Sequence, residues 1–510
     1  MSQFTFENIY RAYIDCRKNK RNKSDALQFE IDAEENIHNL HLELTGKTYH
    51  PLRSDCFVAR KPKLREIFAA DFKDRISHHL VVSYLEPIWE PAFIFDSYAS
   101  RRKKGIHLAI EKLKKFTRKI TKNGSQQAFF MQLDIKNFFM SIDKDILYDI
   151  VKTRCPDQEI LWLAKTIIFH DPTKNYQLKS SRKLLNRIPV QKSLFGNENE
   201  KGLPIGNLTS QFMANVYLNC LDQMVKHELK CSFYMRYVDD FILLNTDEKQ
   251  LLSWKKIIEK FLDKKLKLEL NHSRTKIRPI TNGIDFLGYV VRPGYILCRN
   301  RVVNNLQKRL ISFSKELISS DGRIQRINYN YDILETLFAC LNSYLAHFKH
   351  ANTHNLTNKI FERHSWLGHY FFMHKFKLKR IYCPPSGFNA LRFQYRYFQK
   401  QFQQFLIFFQ VGCFYEFYEI QAARAIQYLK LKRIESKHGF RLRCGIGIKG
   451  LDRFVDMALK MNLPVAVIKQ TGHYLNRLAE RRISDQYIPS QQTTDSDSGF
   501  SGCSSILVIR

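Results

Sequence analysis

The sequence predicts an α+β chain that closes with a small α/β domain. Short apolar runs bounded by turn residues recur through the first half, helical periodicity fills the stretches between and after them, and beyond residue 400 strand and helix alternate. At 510 residues the chain is too long for one compact domain. Its 82 Lys and Arg against 49 Asp and Glu give a formal net charge of +33, a surplus that points to a polyanionic partner bound in a salt-dependent way. No basic amphipathic helix of the kind that lies on a membrane stands out. The 11 cysteines are scattered without a Cys-x-x-Cys, so neither a zinc ribbon nor a disulfide framework is expected, and reduced thiols in a cytosol fit. Residues 1–30 are polar and charged, unlike a signal peptide. The most apolar stretch, 402–418, is broken by Gln, Gly and Glu and falls short of the ~18 apolar residues of a membrane span.

Taken in order, residues 3–50 read as helical, with Phe6, Ile9, Tyr10 and Tyr13 on one face. A basic loop at 17–23 is either a solvated turn or a nucleic-acid contact. Residues 57–68 read as strand, Pro-marked basic turn and strand. His78 and His79 are adjacent, poor spacing for metal ligands on a helix. Residues 97–121 hold an amphipathic helix with a basic face suited to a phosphate backbone, and 173–201 read as an exposed, lysine-rich insertion or hairpin. The loop Gly202-Leu-Pro-Ile-Gly-Asn207 runs into an amphipathic segment, with Met213, Val216, Tyr217, Cys220 and Met224 at helical spacing. A helix is expected at 249–266, a strand near 268–278 and a hairpin at 284–289. From 299 to 379 the pattern is helical and basic, with Phe313, Tyr344, Phe348 and Phe361 read as core. Cys383-Pro-Pro-Ser-Gly387 marks a boundary.

Chemistry concentrates at Tyr237-Val-Asp-Asp240, where apolar runs flank adjacent carboxylates, as expected of two buried strands meeting at a tight turn. Paired acids in apolar surroundings repel and lose hydration, a cost that a divalent metal offsets. A third acid, Asp134, ends the apolar run Phe129-Phe-Met-Gln-Leu-Asp134. Three carboxylates at one sheet edge suit Mg²⁺, and two ions ~3.5–4 Å apart clamp an in-line phosphoryl transfer.

In this order the motifs resemble a reverse transcriptase over most of residues 1–380. The resemblance implies a right-hand polymerase: fingers, a palm with an antiparallel sheet, and a helical thumb. It implies Asp134, Asp239 and Asp240 as catalytic residues holding two Mg²⁺. Lys63 and Arg65 would meet the triphosphate of the incoming dNTP. Phe139 is either a gate beneath the sugar that rejects a 2′-hydroxyl or a core aromatic. Gly206 and Gln211 belong to the loop and helix against the nascent base pair. Asp74 and Arg75 are structural or template-contacting. The family's Lys-Thr pair is departed from here, with Arg274-Thr275 followed by Lys276, so either cation is a candidate phosphate contact and the general acid stays open. Phe286, Leu287 and Gly288 match the primer-grip hairpin. The wording Ile205-Gly-Asn-Leu-Thr-Ser-Gln211 is similar to enzymes of diversity-generating retroelements; many other reverse transcriptases have Gln at the position of Ile205 and Pro at that of Gln211. That likeness implies a template-repeat RNA, a small basic accessory protein and copying that errs opposite adenine, the chemistry of mutagenic retrohoming.

Beyond residue 400, Gly412-Cys-Phe-Tyr-Glu416 and the elements around it resemble the mismatch-recognition domain of MutS. In that family the phenylalanine, here Phe414, wedges beside a mispaired base and the glutamate, here Glu416, hydrogen-bonds it. Cys413 stands where aspartate is usual, and no nucleotide-binding Gly-Lys-Ser/Thr loop occurs. Protein docking and general duplex grip are the other readings of this segment.

The expected organisation is N-terminal helices and fingers at 1–128, palm at 129–298, thumb at 299–382, linker at 383–400, MutS-like domain at 401–490 and flexible tail at 491–510. The expected function is RNA-directed DNA polymerisation on a template RNA with dNTPs, yielding a cDNA duplex, in the cytoplasm of a bacterium or archaeon or encoded by a phage, without membrane attachment. The alternatives are a retron-like or antiviral-defence enzyme that makes a fixed cDNA, and a catalytically silent RNA-binding scaffold.

Overall fold

The computed structural model describes residues 2–489 except 19, 61–62, 198–200, 385–386, 436–438 and 476, so the expected tail lies outside the described residues. The chain divides into two units, Met1–Leu297 and Cys298–Arg510.

In the first unit, helices Phe6–Arg17, Ser24–Ile31 and Ala33–Thr45 lead into β1 (Ser54–Ala59) and β2 (Arg65–Ala69), an antiparallel hairpin. Helix Phe72–Trp89 follows, capped by the Asp71 side chain. Asp74 and Arg75 on its first turn are both held by partners within the protein. Asp74 is 1% exposed and accepts from Tyr49 Oη at 2.7 Å and the Leu52 N–H at 2.8 Å, and Arg75 pairs with Asp25 at 2.8 Å. Helix Ile106–Ile120 then brings the chain to β3 (Phe129–Asp134). The 173–201 segment is more than an exposed insertion: its strand β4 (Tyr176–Leu178) pairs in parallel with β1, from Ser54 to Cys56.

Helix Leu208–Gln223 departs from the amphipathic expectation, because Thr209, Ser210, Asn215, Asn219 and Asp222 are buried along with its apolar residues. Asn215, Asn219 and Asp222 have hydrogen-bond partners inside. Asn215 bonds the Ala99 carbonyl at 2.8 Å, and Asp222 accepts from Tyr234 and from Arg236. A buried helix face of this kind looks amphipathic only until the partners arrive.

The central sheet orders its strands β5 (Tyr234–Tyr237), β6 (Asp240–Asn245), β3, β7 (Lys276–Pro279), all antiparallel. The run Phe241-Ile-Leu-Leu244 on β6 is buried on both faces, as expected of a strand packed by helices on two sides; Glu248–Leu266 and Ile106–Ile120 both pack on it. A hairpin of β8 (Ile284–Phe286) and β9 (Tyr289–Val291) turns through Leu287 and Gly288, both at positive φ, and β10 (Ile296–Cys298) follows.

The second unit begins with helix Asn300–Leu317. It is not wholly helical up to residue 379, as expected, because β11 (Ile318–Ser320) pairs with β12 (Ile324–Asn328), and β13 (Phe371–His374) with β14 (Lys377–Arg380). Helices Tyr331–Phe348 and His354–Arg363 lie between these hairpins. The expected linker contains helix Leu391–Gln401, whose Tyr395 ring meets those of Phe409 at 5.1 Å and Tyr418 at 4.9 Å. Next come β15 (Leu406–Val411), β16 (Phe414–Tyr418), helix Glu419–Leu429, β17 (Arg443–Gly447), helix Leu451–Lys460, β18 (Val465–Leu475) and β19 (Leu478–Pro489). Leu406, Phe408, Tyr415 and Phe417 bury one sheet face beneath those two helices.

One seven-stranded sheet, ordered β11-β12-β19-β18-β15-β16-β17, therefore crosses the boundary expected between thumb and MutS-like domain. The junction is β12 against β19, Ile324 opposite Pro489 through Asn328 opposite Asp485, locked by Arg326 on Asp485 at 2.7 Å. Strand pairings this remote in sequence leave no local signature, which is why the pattern alone separated the two parts.

Candidate active site

The β5–β6 hairpin has a two-residue turn, Val238-Asp239, with Tyr237 opposite Asp240. Val238 takes φ 56°, a left-handed conformation that costs a β-branched residue dearly. Arg236 holds the turn in place. It is 0% exposed, pairs with the equally buried Asp222 at 2.6 Å and donates to the Val238 carbonyl at 2.9 Å. Tyr234 Oη donates to the same Asp222 at 2.7 Å. Arg236 thereby links the buried Asp222 to the backbone of the turn that carries Asp239.

Asp134 ends β3 directly opposite Asp240 on β6, and its neighbour Ile135 donates its N–H to the Asp239 carbonyl at 3.3 Å. The three acids line one cavity of about 720 Å³. Burial, then the charge of Asp134, pushes Asp239 up to about 6. Burial pushes Asp240 up to about 7, with Asp239 and Asp134 adding and the Gln132 amide opposing. Gln132 Nε2 donates to both Asp240 oxygens, at 3.0 and 3.2 Å. Asn271 Nδ2 donates to Asp134 at 2.9 Å and Arg274 Nη1 at 3.2 Å.

With the acids held this way, the described residues contain no gathered cluster of three metal-ligating side chains. The donor set still suits a hard divalent cation: three carboxylates on adjacent strands, two of them destabilised by burial and mutual repulsion. Asp240 and Asp134 would exchange Gln132 and Arg274 for it.

The same cavity is lined by Lys63, Arg65, Phe139, Ile205, Arg274 and Leu287 from the sequence-predicted set. Partial burial, then the charges of Arg274 and Lys192, lowers the Lys63 ammonium. A smaller adjoining cavity of about 150 Å³ is lined by Gly206 and Gln211, with Phe139, Ile205 and Val238 shared between the two. Gly206 has φ +126°, and a Cβ there would meet the Phe68 carbonyl oxygen at 2.9 Å, so only glycine lets the loop lie against β2. Phe139 is half-buried at the wall of both cavities, stacked edge-on with Phe138 at 5.4 Å.

Three expected contacts are not brought to the cavity. Phe286 is 0% exposed and belongs to the core, because the strand before the turn points it inward. Its turn neighbour Leu287 reaches the cavity and Gly288 is not among the lining residues. Lys276 is exposed on β7 opposite Gln132, also outside the lining. Sequence reasoning missed Gln132, Asn271, Arg187 and Lys192. Asn271 sits three residues before Arg274, whereas the others carried no signal beyond polarity.

In the second unit, Gly412 at φ 57° opens the two-residue turn between β15 and β16, and leaves Phe414 54% exposed just past the tip. Glu416 does not share that exposure, contrary to the expected base contact. It is 9% exposed, bound by the Tyr418 hydroxyl and by Arg443 at 3.4 Å. Its cross-strand partner is Gly445, where a Cβ would meet the Tyr415 carbonyl oxygen at 3.0 Å.

Comparison with known proteins gives each of these two segments a family match. Residues 59–291 match the family described as reverse transcriptase (RNA-dependent DNA polymerase), and residues 389–496 match MutS domain I, a match that takes in the helix Leu391–Gln401. The group II intron-encoded protein LtrA of Lactococcus lactis subsp. cremoris is 24% identical over 354 residues, covering 56% of this chain and 54% of that protein. Protein YkfC of Escherichia coli K12 is 26% identical over 314 residues, covering 54% of this chain and 76% of that protein. The chain thus spans about half the length of LtrA. An apo telomerase from Candida tropicalis aligns with a TM-score of 0.35 at 10% identity, over 52% of this chain and 60% of that one, too slight a likeness to bear on the fold. Residues 59–291 are thus similar to a reverse transcriptase domain, and residues 389–496 to MutS domain I.

Proposed function

We propose that this chain is an RNA-directed DNA polymerase that extends a primer along an RNA template with dNTPs. The observation that carries this is the convergence of Asp134, Asp239 and Asp240 in a cavity also lined by Lys63, Arg65 and Arg274. In the reaction the primer 3′-oxygen forms a bond to the α-phosphorus, the bond to the bridging oxygen breaks and pyrophosphate leaves. Asp134, Asp239 and Asp240 would hold divalent cations, which would supply charge neutralisation to the reacting phosphate. Lys63 and Arg65 bind the triphosphate, Phe139 meets the sugar, and Leu287 meets the primer end. In this assignment the β1–β2 hairpin serves as fingers, the β5-β6-β3-β7 sheet as palm, and the helices after residue 299 as thumb. Primer extension on a defined RNA with dNTPs and Mg²⁺ tests it: cDNA from the wild type and none from Asp239→Ala is the expected result. Tight RNA binding without cDNA from the wild type would instead identify a scaffold.

The finer assignment is to the diversity-generating type, copying a template-repeat RNA with errors opposite adenine, with an accessory protein as a further partner. Ile205 at the junction of the two cavities supports it, because an aliphatic group there gives the incoming base no hydrogen bond. Sequenced products should show errors concentrated at template adenines and reduced by Ile205→Gln. Faithful cDNA would favour a retron-like or defence enzyme. For the MutS-like segment we propose binding of distorted duplex through Phe414, whose exposed ring at a hairpin tip suits insertion where stacking is already weak. No helix among the described residues is long and apolar enough to cross a membrane.

A further inference from the structure

The segment between helix Gln158–Phe169 and the Gly202 loop is fastened to the β1–β2 hairpin by a buried carboxylate. Glu66 on β2 is 1% exposed. It accepts the Ser193 hydroxyl at 2.6 Å and the Leu194 backbone N–H, and burial raises its pKa. The Phe195 ring packs on Phe68 and Tyr176, with centroids 5.7 and 5.1 Å away. A carboxylate taken out of water and given two donors from one short stretch fixes that stretch in place.

What it fixes is a pair of cations. Arg187 and Lys192 both line the 720 Å³ cavity, bringing its cations to five with Lys63, Arg65 and Arg274, against the carboxylates of Asp134, Asp239 and Asp240. Among the described residues, Arg274 alone of the five pairs with a carboxylate, at 3.2 Å on Asp134. Lys192 is near enough to Lys63 to lower its ammonium pKa. Cations gathered at one cavity wall without partners repel one another, and a bound polyanion relieves that repulsion.

We propose that Arg187 and Lys192 bind the polyphosphate of the incoming nucleotide and the pyrophosphate that leaves, adding to the contact made by Lys63 and Arg65. The assignment rests on the polymerase reading above. When the α–β phosphoanhydride bond breaks, its electron pair stays on the leaving oxygen, and the growing charge falls to cations already held in place. Because the same contacts exist before and after bond breakage, they act mainly on nucleotide and pyrophosphate affinity.

The test uses the full chain with Arg187→Ala, Lys192→Ala and Lys192→Arg. Each alanine variant should raise the dNTP KM about tenfold while kcat changes less than about threefold. The concentration of inorganic pyrophosphate that inhibits should rise in parallel, and Lys192→Arg should stay near wild type. On a dideoxy-terminated primer, where no chemistry occurs, the alanine variants should need correspondingly more dNTP to trap the primer–template complex. Unchanged dNTP KM with weaker, less salt-dependent RNA binding would overturn the proposal in favour of a template contact. Equal loss in every assay with a lowered melting temperature would overturn it in favour of a structural role. A wild type that makes no cDNA and traps no dNTP would overturn the polymerase reading itself, and this assignment with it.

Discussion

The β5–β6 and β15–β16 hairpins are built alike and surrounded differently. Each joins two strands through a two-residue turn that contains a left-handed residue, Val238 in one and Gly412 in the other. Each carries acid and aromatic residues within a few positions of its tip. At the first hairpin Asp239 lies in the turn and Asp240 beside it, and both face a cavity lined by cations from other elements. At the second, Glu416 lies two residues along the strand, where Arg443 of β17 and Tyr418 enclose it and only Phe414 remains exposed. An acid serves chemistry when its surroundings leave its charge unmet, and serves structure when neighbouring strands meet it.

The largest way to break this contrast is at the turn. Asp239→Asn should reduce cDNA synthesis by about a thousandfold or more while the protein remains folded, measured by primer extension beside circular dichroism. Retained synthesis would mean that Asp239 is no more engaged in chemistry than Glu416. Next comes the support beneath the turn. Asp222→Ala leaves Arg236 charged and buried without its partner, and should cost about 3–5 kcal/mol of stability in urea unfolding. A loss under about 1 kcal/mol would show that the pair does not hold the hairpin.

At the second hairpin the two side chains should separate. Phe414→Ala should weaken binding to a mismatched duplex about tenfold, and Glu416→Gln should change it by less than about twofold, both by fluorescence anisotropy. A large effect of Glu416→Gln would mean that Arg443 and Tyr418 release the carboxylate on binding.

The smallest effect is on pH dependence. Because the folded state raises Asp239 to about 6 and Asp240 to about 7, it holds protons that the unfolded chain, with ordinary carboxylates, has already released. Stability from these groups is present at low pH and lost as pH rises through those values. In EDTA the melting temperature should fall between pH 5 and 8, and Asp240→Asn should flatten that fall by about 2–4 °C. Added Mg²⁺ should restore more at pH 8 than at pH 5. An identical slope in wild type and variant would refute the shift.

Much of the first site was legible in residues 129–134 and 231–245, because a buried strand must be apolar and a carboxylate inside such a run is conspicuous. Phe414 was singled out by the resemblance to MutS, and its place just past a hairpin tip came from the structure. Phe286 shows where it stops: alternation says that one face of a strand is buried but not which, and a one-residue difference separates core from cavity. Glu416 shows another limit, since Tyr418 is near in sequence but Arg443 is brought to it only by the pairing of β16 with β17.

By itself the sequence determined the large positive charge, and with it the expectation of a polyanionic partner, and the local conformation of the acidic hairpin, through apolar runs and turn residues. Local sterics and burial act over a few residues, so they can be read in a few residues. Only the tertiary structure decided which cations face the aspartates, that Glu66 ties the 181–197 stretch to β2, and that β12 and β19 merge two expected domains into one sheet. Those outcomes depend on contacts between residues far apart in the chain, more than a hundred positions in the last two cases, whose closure leaves no trace in local composition.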